Sequence, residues 1–360
     1  MLCPPLEESG NPVVCYPVAG YPLGVKAKWE PTQEGTGTPS PENIRPIKGR
    51  DSVMVERCGA NLSKISDIST PNKSLTPVEL PTEIVTDIEI SFDTLNAEIK
   101  NVGTAFFLNK ADGKWKAITV QDFGISTAGK IPNGRKTAVF HGVTFKTVET
   151  VITKNGYCKW SGDVNNFCVS IIQNAPYTPY IGQTNTLTLP ETVYGGEVDA
   201  VSGVGESQYN KVNIRMENLN YNKSISAMLG YASSNILNGI QLPPSNRVAF
   251  DGVCDCLPTK PASDINDGTI GFGVSASGDI YLRVEGLDSG EAYAAKFPDG
   301  VNVCYKVATP TSFSATGNAS VKALSGVNTV LTDADSATVT GRADPIKRIT
   351  DLEDAVASQT

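Results

Sequence analysis

The sequence predicts a mainly β protein: antiparallel, jelly-roll-like β-sandwich domains followed by a short C-terminal α-helix. Three observations carry this. Short apolar runs recur with alternate residues on one face. Turn formers separate them, with 33 glycines and 23 prolines in 360 residues, too many breakers for long helices. Only near the C-terminus does the apolar spacing change to three and four.

Residues 1–62 read as an N-terminal β module. Val13–Tyr16 and Leu23–Trp29 have strand character, and Leu23, Val25, Ala27 and Trp29 share a face. The run from Glu30 to Pro46 holds Pro31, Pro39, Pro41 and Pro46 with Gly35 and Gly37, which excludes regular structure and makes a stiff loop. Val53–Cys58 is a further strand. Residues 63–82 read as a proline-punctuated linker.

Residues 83–182 form the next unit, an antiparallel β-sandwich. Ile84, Ile88, Ile90 and Phe92 alternate on one face, and strands follow at 104–108, 138–140, 147–152 and 167–172. Residues 183–312 form a second β domain, with strands at 194–199, 211–216, 271–274, 280–284 and 303–308. Residues 313–360 supply a last β segment and the helix. Asp344 suits an N-cap and Pro345 the first helical position. Ile346, Ile349, Leu352 and Val356 then make an apolar stripe. Such a short helix is marginal alone in water, so it needs a partner: its own domain, or copies of itself at a symmetry axis.

Composition bounds function. The 30 basic and 38 acidic residues give a net charge of −8, and no Lys/Arg cluster offers a phosphate-binding face, which argues against nucleic-acid binding. No apolar run reaches transmembrane length, and the N-terminal residues lack signal-peptide character. The expectation is cytoplasmic synthesis without passage through the secretory route.

Several motifs recur together in family order. Pro31-Thr32-Gln33-Glu34-Gly35-Thr36-Gly37-Thr38-Pro39-Ser40-Pro41-Glu42-Asn43-Ile44-Arg45-Pro46-Ile47 is similar to P-x-Q-x-G-x-G-x-P-S-P-x-N-I-R-P-I. Arg57-Cys58-Gly59-Ala60-Asn61-Leu62 resembles R-C-G-K-N-L, departing at Ala60. Pro176–Gly182 resembles the Y-x-P-Y-x-G that ends a carbohydrate-binding-like sandwich, which makes residues 83–182 such a sandwich by resemblance, and Leu189–Asp199 resembles a T-V-Y-G-G-x-L-D element. Tyr305–Thr311 resembles Y-x-L-A-T-P-T, and Asn328–Val330 with Arg342-Ala343-Asp344 a terminal G-x-N-x-V…R-A-D. In this the chain resembles tail and minor structural proteins, of baseplate or receptor-binding type, from phages of Gram-positive bacteria. The resemblance implies a virion structural protein and brings no catalytic residues.

The residues with chemical potential are few. His141 is the only histidine, and its apolar flanks predict a partly buried structural role rather than a catalytic triad. Asp87, Glu89, Asp93, Asp163, Glu197, Asp199, Glu285 and Asp288 show no spacing that marks a glycosidase pair. The acidic loops at 264–268 and 333–335 do not complete a calcium loop. Eight cysteines include no C-x-x-C pair, and Cys254-Asp255-Cys256 is too tightly spaced for a usual zinc knuckle. The expectation is buried free thiols, with Cys158/Cys168 or Cys254/Cys304 bridges as the alternative; no metal or other cofactor is expected. Trp115, Tyr157 and Trp160 are the first places to look for a glycan-stacking site, although most aromatics will be core. Pro39, Pro41, Asn43 and Arg45 form either an interface loop or an internal brace, and the brace is favoured.

These readings predict a non-enzymatic subunit of a phage tail tip, baseplate or fibre, assembled in the bacterial host. Its partners are further copies, as a homotrimer, and other virion proteins, with host cell-wall polysaccharide as a further ligand. The alternatives are a head fibre, collar or capsid-decorating protein, a glycan-binding adhesin, and last a polysaccharide depolymerase.

Overall fold

The computed structural model describes residues 3–63, 78–109, 113–150, 159–173, 177–225, 227–232, 251–275 and 279–357. The protein is mainly β, built from antiparallel sheets, with three α-helices among the described residues.

Period-two patterning drives the packing. In the strand Pro22–Trp29, Leu23, Val25, Ala27 and Trp29 are all 1% exposed or less, while Lys26 and Lys28 face outward. This strand lies inside an eight-stranded sheet whose order is Pro5–Gly10, Ser336–Arg342, Pro22–Trp29, Gly196–Asp199, Val204–Ile214, Val301–Ser314, Gly252–Cys254, with Val321–Lys322 also on Pro22–Trp29. A four-stranded sheet follows the order Gln183–Val193, Arg50–Cys58, Asn328–Thr332, Val13–Cys15. Side chains of both sheets fill one core: Leu23, Val25, Trp29, Val198 and Val339 from the first, Val13, Val53, Val55, Leu187 and Val330 from the second.

The segments 1–62, 183–312 and 313–360 are therefore not separate units. Leu6 lies opposite Gly341, Val25 opposite Val339, and Val198 opposite Ala27. Local alternation marks a strand but carries no information about which distant strand completes its ladder.

Between Cys58 and Gln183 the chain builds a six-stranded sheet in the order Gly129–Lys130, Val78–Asn101, Gly134–Thr150, Thr104–Asn109, Trp115–Thr119, with Lys159–Ser170 also on Val78–Asn101. Ile88, Ile90 and Phe92 are fully buried as the alternation predicts. Phe92, Phe106 and Phe123 pack with ring centroids 4.9–5.8 Å apart, in tilted and edge-on geometries favoured by aromatic quadrupoles.

Three boundaries differ from expectation. Of the linker 63–82, residues 64–77 lie outside the described residues and 78–82 belong to the strand Val78–Asn101, with Val78 opposite Val148. The runs 138–140 and 147–150 are one strand, Gly134–Thr150, whose register shifts between Phe140 and Val143. Gly142 sits at that irregularity with φ +54°, and glycine there carries the chain through without ending the ladder. In the expected loop 30–46, Thr32–Gln33 pairs with Ile47–Lys48 as a two-residue ladder.

The second β region also holds two short helices, Ala262–Asn266 and Gly290–Lys296. Ser289 caps the latter by accepting from Ala292 N–H at 3.1 Å. Both are too short to show a helical period. Together with a four-stranded sheet (order Asn220–Ile225, Ala227–Ala232, Ile280–Arg283, Gly271–Val274) they enclose Phe272, Tyr293, Ile280 and Leu282.

Candidate functional site

The stiff loop after Trp29 is organised around one side chain. Arg45 donates through Nε to Glu34 O (2.9 Å), Nη1 to Gly37 O (2.7 Å), and Nη2 to Gly35 O (3.0 Å) and Gln33 O (3.4 Å). A guanidinium presents five donors in a rigid fork, so one residue can gather four carbonyls of a loop whose own ladder is only the two-residue pairing at its base. Asn43 Nδ2 donates to Thr36 O and Thr38 O at 3.2 and 3.0 Å. Ser40 Oγ accepts the N–H groups of Glu42 and Asn43. Asn43 and Arg45 are thus internal braces, and Pro39 and Pro41 are half-buried within the turn they stiffen.

The same loop is fastened to the region of Cys254. Gln33 Nε2 donates to Cys254 O at 2.9 Å, and Arg45 N–H to Asp255 O at 2.6 Å. Glu42 meets Lys296 Nζ at 2.8 Å, which holds the Glu42 carboxyl below its ordinary range.

The other motifs prove to be joints. Asn61 binds the inner six-stranded sheet: its Oδ1 accepts from Ser63 and Val169 N–H, and its Nδ2 donates to Thr178 O. Tyr180 donates to the Glu56 carboxylate; burial, then that bond, push the phenol up. Trp29 Nε1 donates to Val193 O at 3.2 Å. A Cβ on Gly196 would stand 2.0 Å from Glu206 O, so the Gly195-Gly196 pair lets two strands approach. Asp344 Oδ1 accepts from Lys347 N–H and caps the C-terminal helix as its sequence predicts. Arg57 is buried and donates through Nη2 to Gln183 Oε1, while its Nε and Nη1 have no hydrogen-bond partner among the described residues.

The helix Pro345–Ala357 is the opposite case. Ile346, Ile349 and Val356 are 66%, 55% and 63% exposed. They are not packed on their own domain. The side chain of Leu352 lies outside the described residues, as do Tyr157 and the side chain of Trp160. Trp115, at the start of Trp115–Thr119, is 48% exposed rather than core.

His141 corrects another expectation. Its side chain is 72% exposed, and Nδ1 lies 2.9 Å from Asp87 Oδ2. Ala138 and Phe140 take the buried face, so His141, next along the strand, faces out, and Gly142 N–H donates to Asp87 Oδ1. The His141 bond, then the Gly142 bond, hold the Asp87 carboxyl below its usual range. Other carboxylates are engaged inside the fold: Asp93 with Arg135 and Asn166, Glu197 with Lys26, and Asp199 in a turn with Val201 and Ser202.

Cys15, Cys58, Cys168, Cys254, Cys256 and Cys304 are buried free thiols, and Cys3 is exposed. Cys254 lies opposite Val303 in one core while Cys304 lies opposite Val253 in another, so a Cys254/Cys304 bridge is excluded by strand alternation. Comparison of the chain with family models, curated proteins and solved structures returns no match.

Proposed function

We propose that the chain is a non-enzymatic structural subunit of a bacteriophage particle, of the tail tip, baseplate or fibre, that self-associates as a trimer through its C-terminal helix. The observation that carries this reading is the apolar stripe of Ile346, Ile349 and Val356, left exposed on a capped helix. A helix of 13 residues gains little stability alone in water, and a bundle with copies of itself buries the stripe. The motifs shared with phage structural proteins support the particle assignment. Within this chain their residues act as braces and joints, a use suited to a scaffold. On this reading the sheets are jelly-roll-like sandwiches, consistent with two sheets closing on one apolar core.

Light scattering tests the assembly. The reading expects a mass near three times 38.1 kDa, falling to one subunit in Ile349→Asp with the far-ultraviolet spectrum unchanged. A wild-type mass of one subunit sinks it.

Trp115 favours a second activity, adhesion to host cell-wall glycan, because an exposed indole can stack on a sugar face. Trp115→Ala is then expected to weaken polysaccharide binding without changing the subunit mass.

A further inference from the structure

Gly252–Cys254 runs antiparallel to Val301–Ser314, with Cys254 opposite Val303. Were the strand to continue straight, Asp255 would face away from both neighbouring cysteines. The chain bends at Asp255 and Cys256 instead. Cys254 Sγ, an Asp255 carboxylate oxygen and Cys256 Sγ come within 4.8 Å of one another, and the three residues are 1%, 6% and 2% exposed. Three consecutive side chains thus converge where an extended chain would separate them.

We propose that Cys254, Asp255 and Cys256 form a site for a thiophilic divalent cation of closed d-shell, Zn2+ being the common example. Zinc takes thiolate sulfur at about 2.3 Å and carboxylate oxygen at about 2.0–2.2 Å. Donors on one tetrahedral ion then lie roughly 3.3–3.8 Å apart, a small rotamer adjustment from the spread found. The carboxylate is already oriented: Asn302 N–H donates to Oδ1 at 3.1 Å and Asn302 Nδ2 to Oδ2 at 2.8 Å. Ligating carboxylates are held by such outer donors. The backbone is fixed as well, since Gln33 Nε2 and the Arg45 N–H occupy the carbonyls of Cys254 and Asp255. Preorganisation reduces the ordering cost of binding.

The step balances without redox chemistry. Two S–H bonds break, two metal–sulfur bonds form, and two protons pass to solvent; an oxygen of Asp255 supplies the third bond. No other His, Cys, Asp or Glu joins the cluster among the described residues, which leaves the fourth position to water or a small anion.

The test uses the full chain, purified in a phosphine reductant and titrated with Cd2+, then Zn2+. The expected result is one ion per chain with a cadmium–thiolate charge-transfer band. Cys254→Ala and Cys256→Ala abolish the band, while Cys3→Ala keeps it. With two protons released, affinity falls about 100-fold per pH unit on acidification. A wild-type chain that binds no more metal than the two alanine variants overturns the proposal. So does a Cys254–Cys256 disulfide found by peptide mapping of the chain isolated without reductant. Should the alanine variants fail to fold, absence of the band in the wild-type chain is decisive by itself.

Discussion

The Arg45 N–H donates to the carbonyl of Asp255 at 2.6 Å, joining residues 210 positions apart in sequence (255 − 45). With its side chain gathering four carbonyls of its own loop, Arg45 works in two directions. The guanidinium shapes the loop, and the backbone pins that shape to the Cys254 region.

Arg45→Ala therefore removes the shaping and leaves the pin. The loss is about 1–2 kcal/mol, the worth of charge-assisted hydrogen bonds reduced for partial exposure. Arg45→Lys recovers little, because an ammonium cannot span four carbonyls. Denaturant melts measure the cost, and faster proteolysis between residues 34 and 44 locates it.

Trp29→Ala opens the core shared by the eight- and four-stranded sheets and strips the donor from Val193 O. A loss of about 3–5 kcal/mol is expected. Amide exchange should then quicken in Ser336–Arg342 as well as Pro22–Trp29, since the two are hydrogen-bonded neighbours. Change confined to Pro22–Trp29 would contradict a common core.

The buried thiols set an alkaline limit. Burial pushes Cys15, Cys168 and Cys304 up to about 12. In the unfolded chain thiols ionise near 8.5. Between those values the folded state binds more protons than the unfolded state, so stability is full below pH 8.5 and is lost as pH rises towards 12. Melting temperatures across that range should decline. Native maleimide labelling at neutral pH should, among the described cysteines, reach Cys3 first.

Asp87 sets the acidic counterpart. Its folded carboxyl titrates lower than in the unfolded chain because His141 and Gly142 favour the anion. The stabilisation is present above the ordinary carboxylate range and is lost as pH falls through the lowered value. In His141→Ala the Asp87 titration, followed by NMR, should move up towards the ordinary range. It should not reach it fully, because the Gly142 N–H remains.

Much of the local structure was legible from residue order. Leu23, Val25, Ala27 and Trp29 face a core as their alternation requires, Ile88, Ile90 and Phe92 likewise, and Asp344 caps a helix where its spacing places one. What escaped depended on distance. Nothing near Leu6 announces Gly341 as its partner, and nothing near Arg45 names the carbonyls it will collect. The bend that turns Asp255 towards its flanking cysteines is set by Asn302 on another strand, beyond the reach of any local pattern. His141 was misread because apolar flanks were taken as a sign of burial, whereas its neighbours Phe140 and Val143 face the core and His141 takes the opposite face.

The ladder between Val25 and Val339 also has a consequence in time. These residues are 314 positions apart (339 − 25). At about 5–20 residues per second of translation, that separation is roughly 15–60 s. The strands of the six-stranded inner sheet all lie between residues 78 and 170 and are complete long before. A growing chain thus carries a finished inner sheet while Pro22–Trp29 waits for all three strands that pair with it, Gly196–Asp199, Val321–Lys322 and last Ser336–Arg342. During that interval, chains on neighbouring ribosomes present the same unpaired edge, so strand exchange between copies competes with closure until residue 342 emerges.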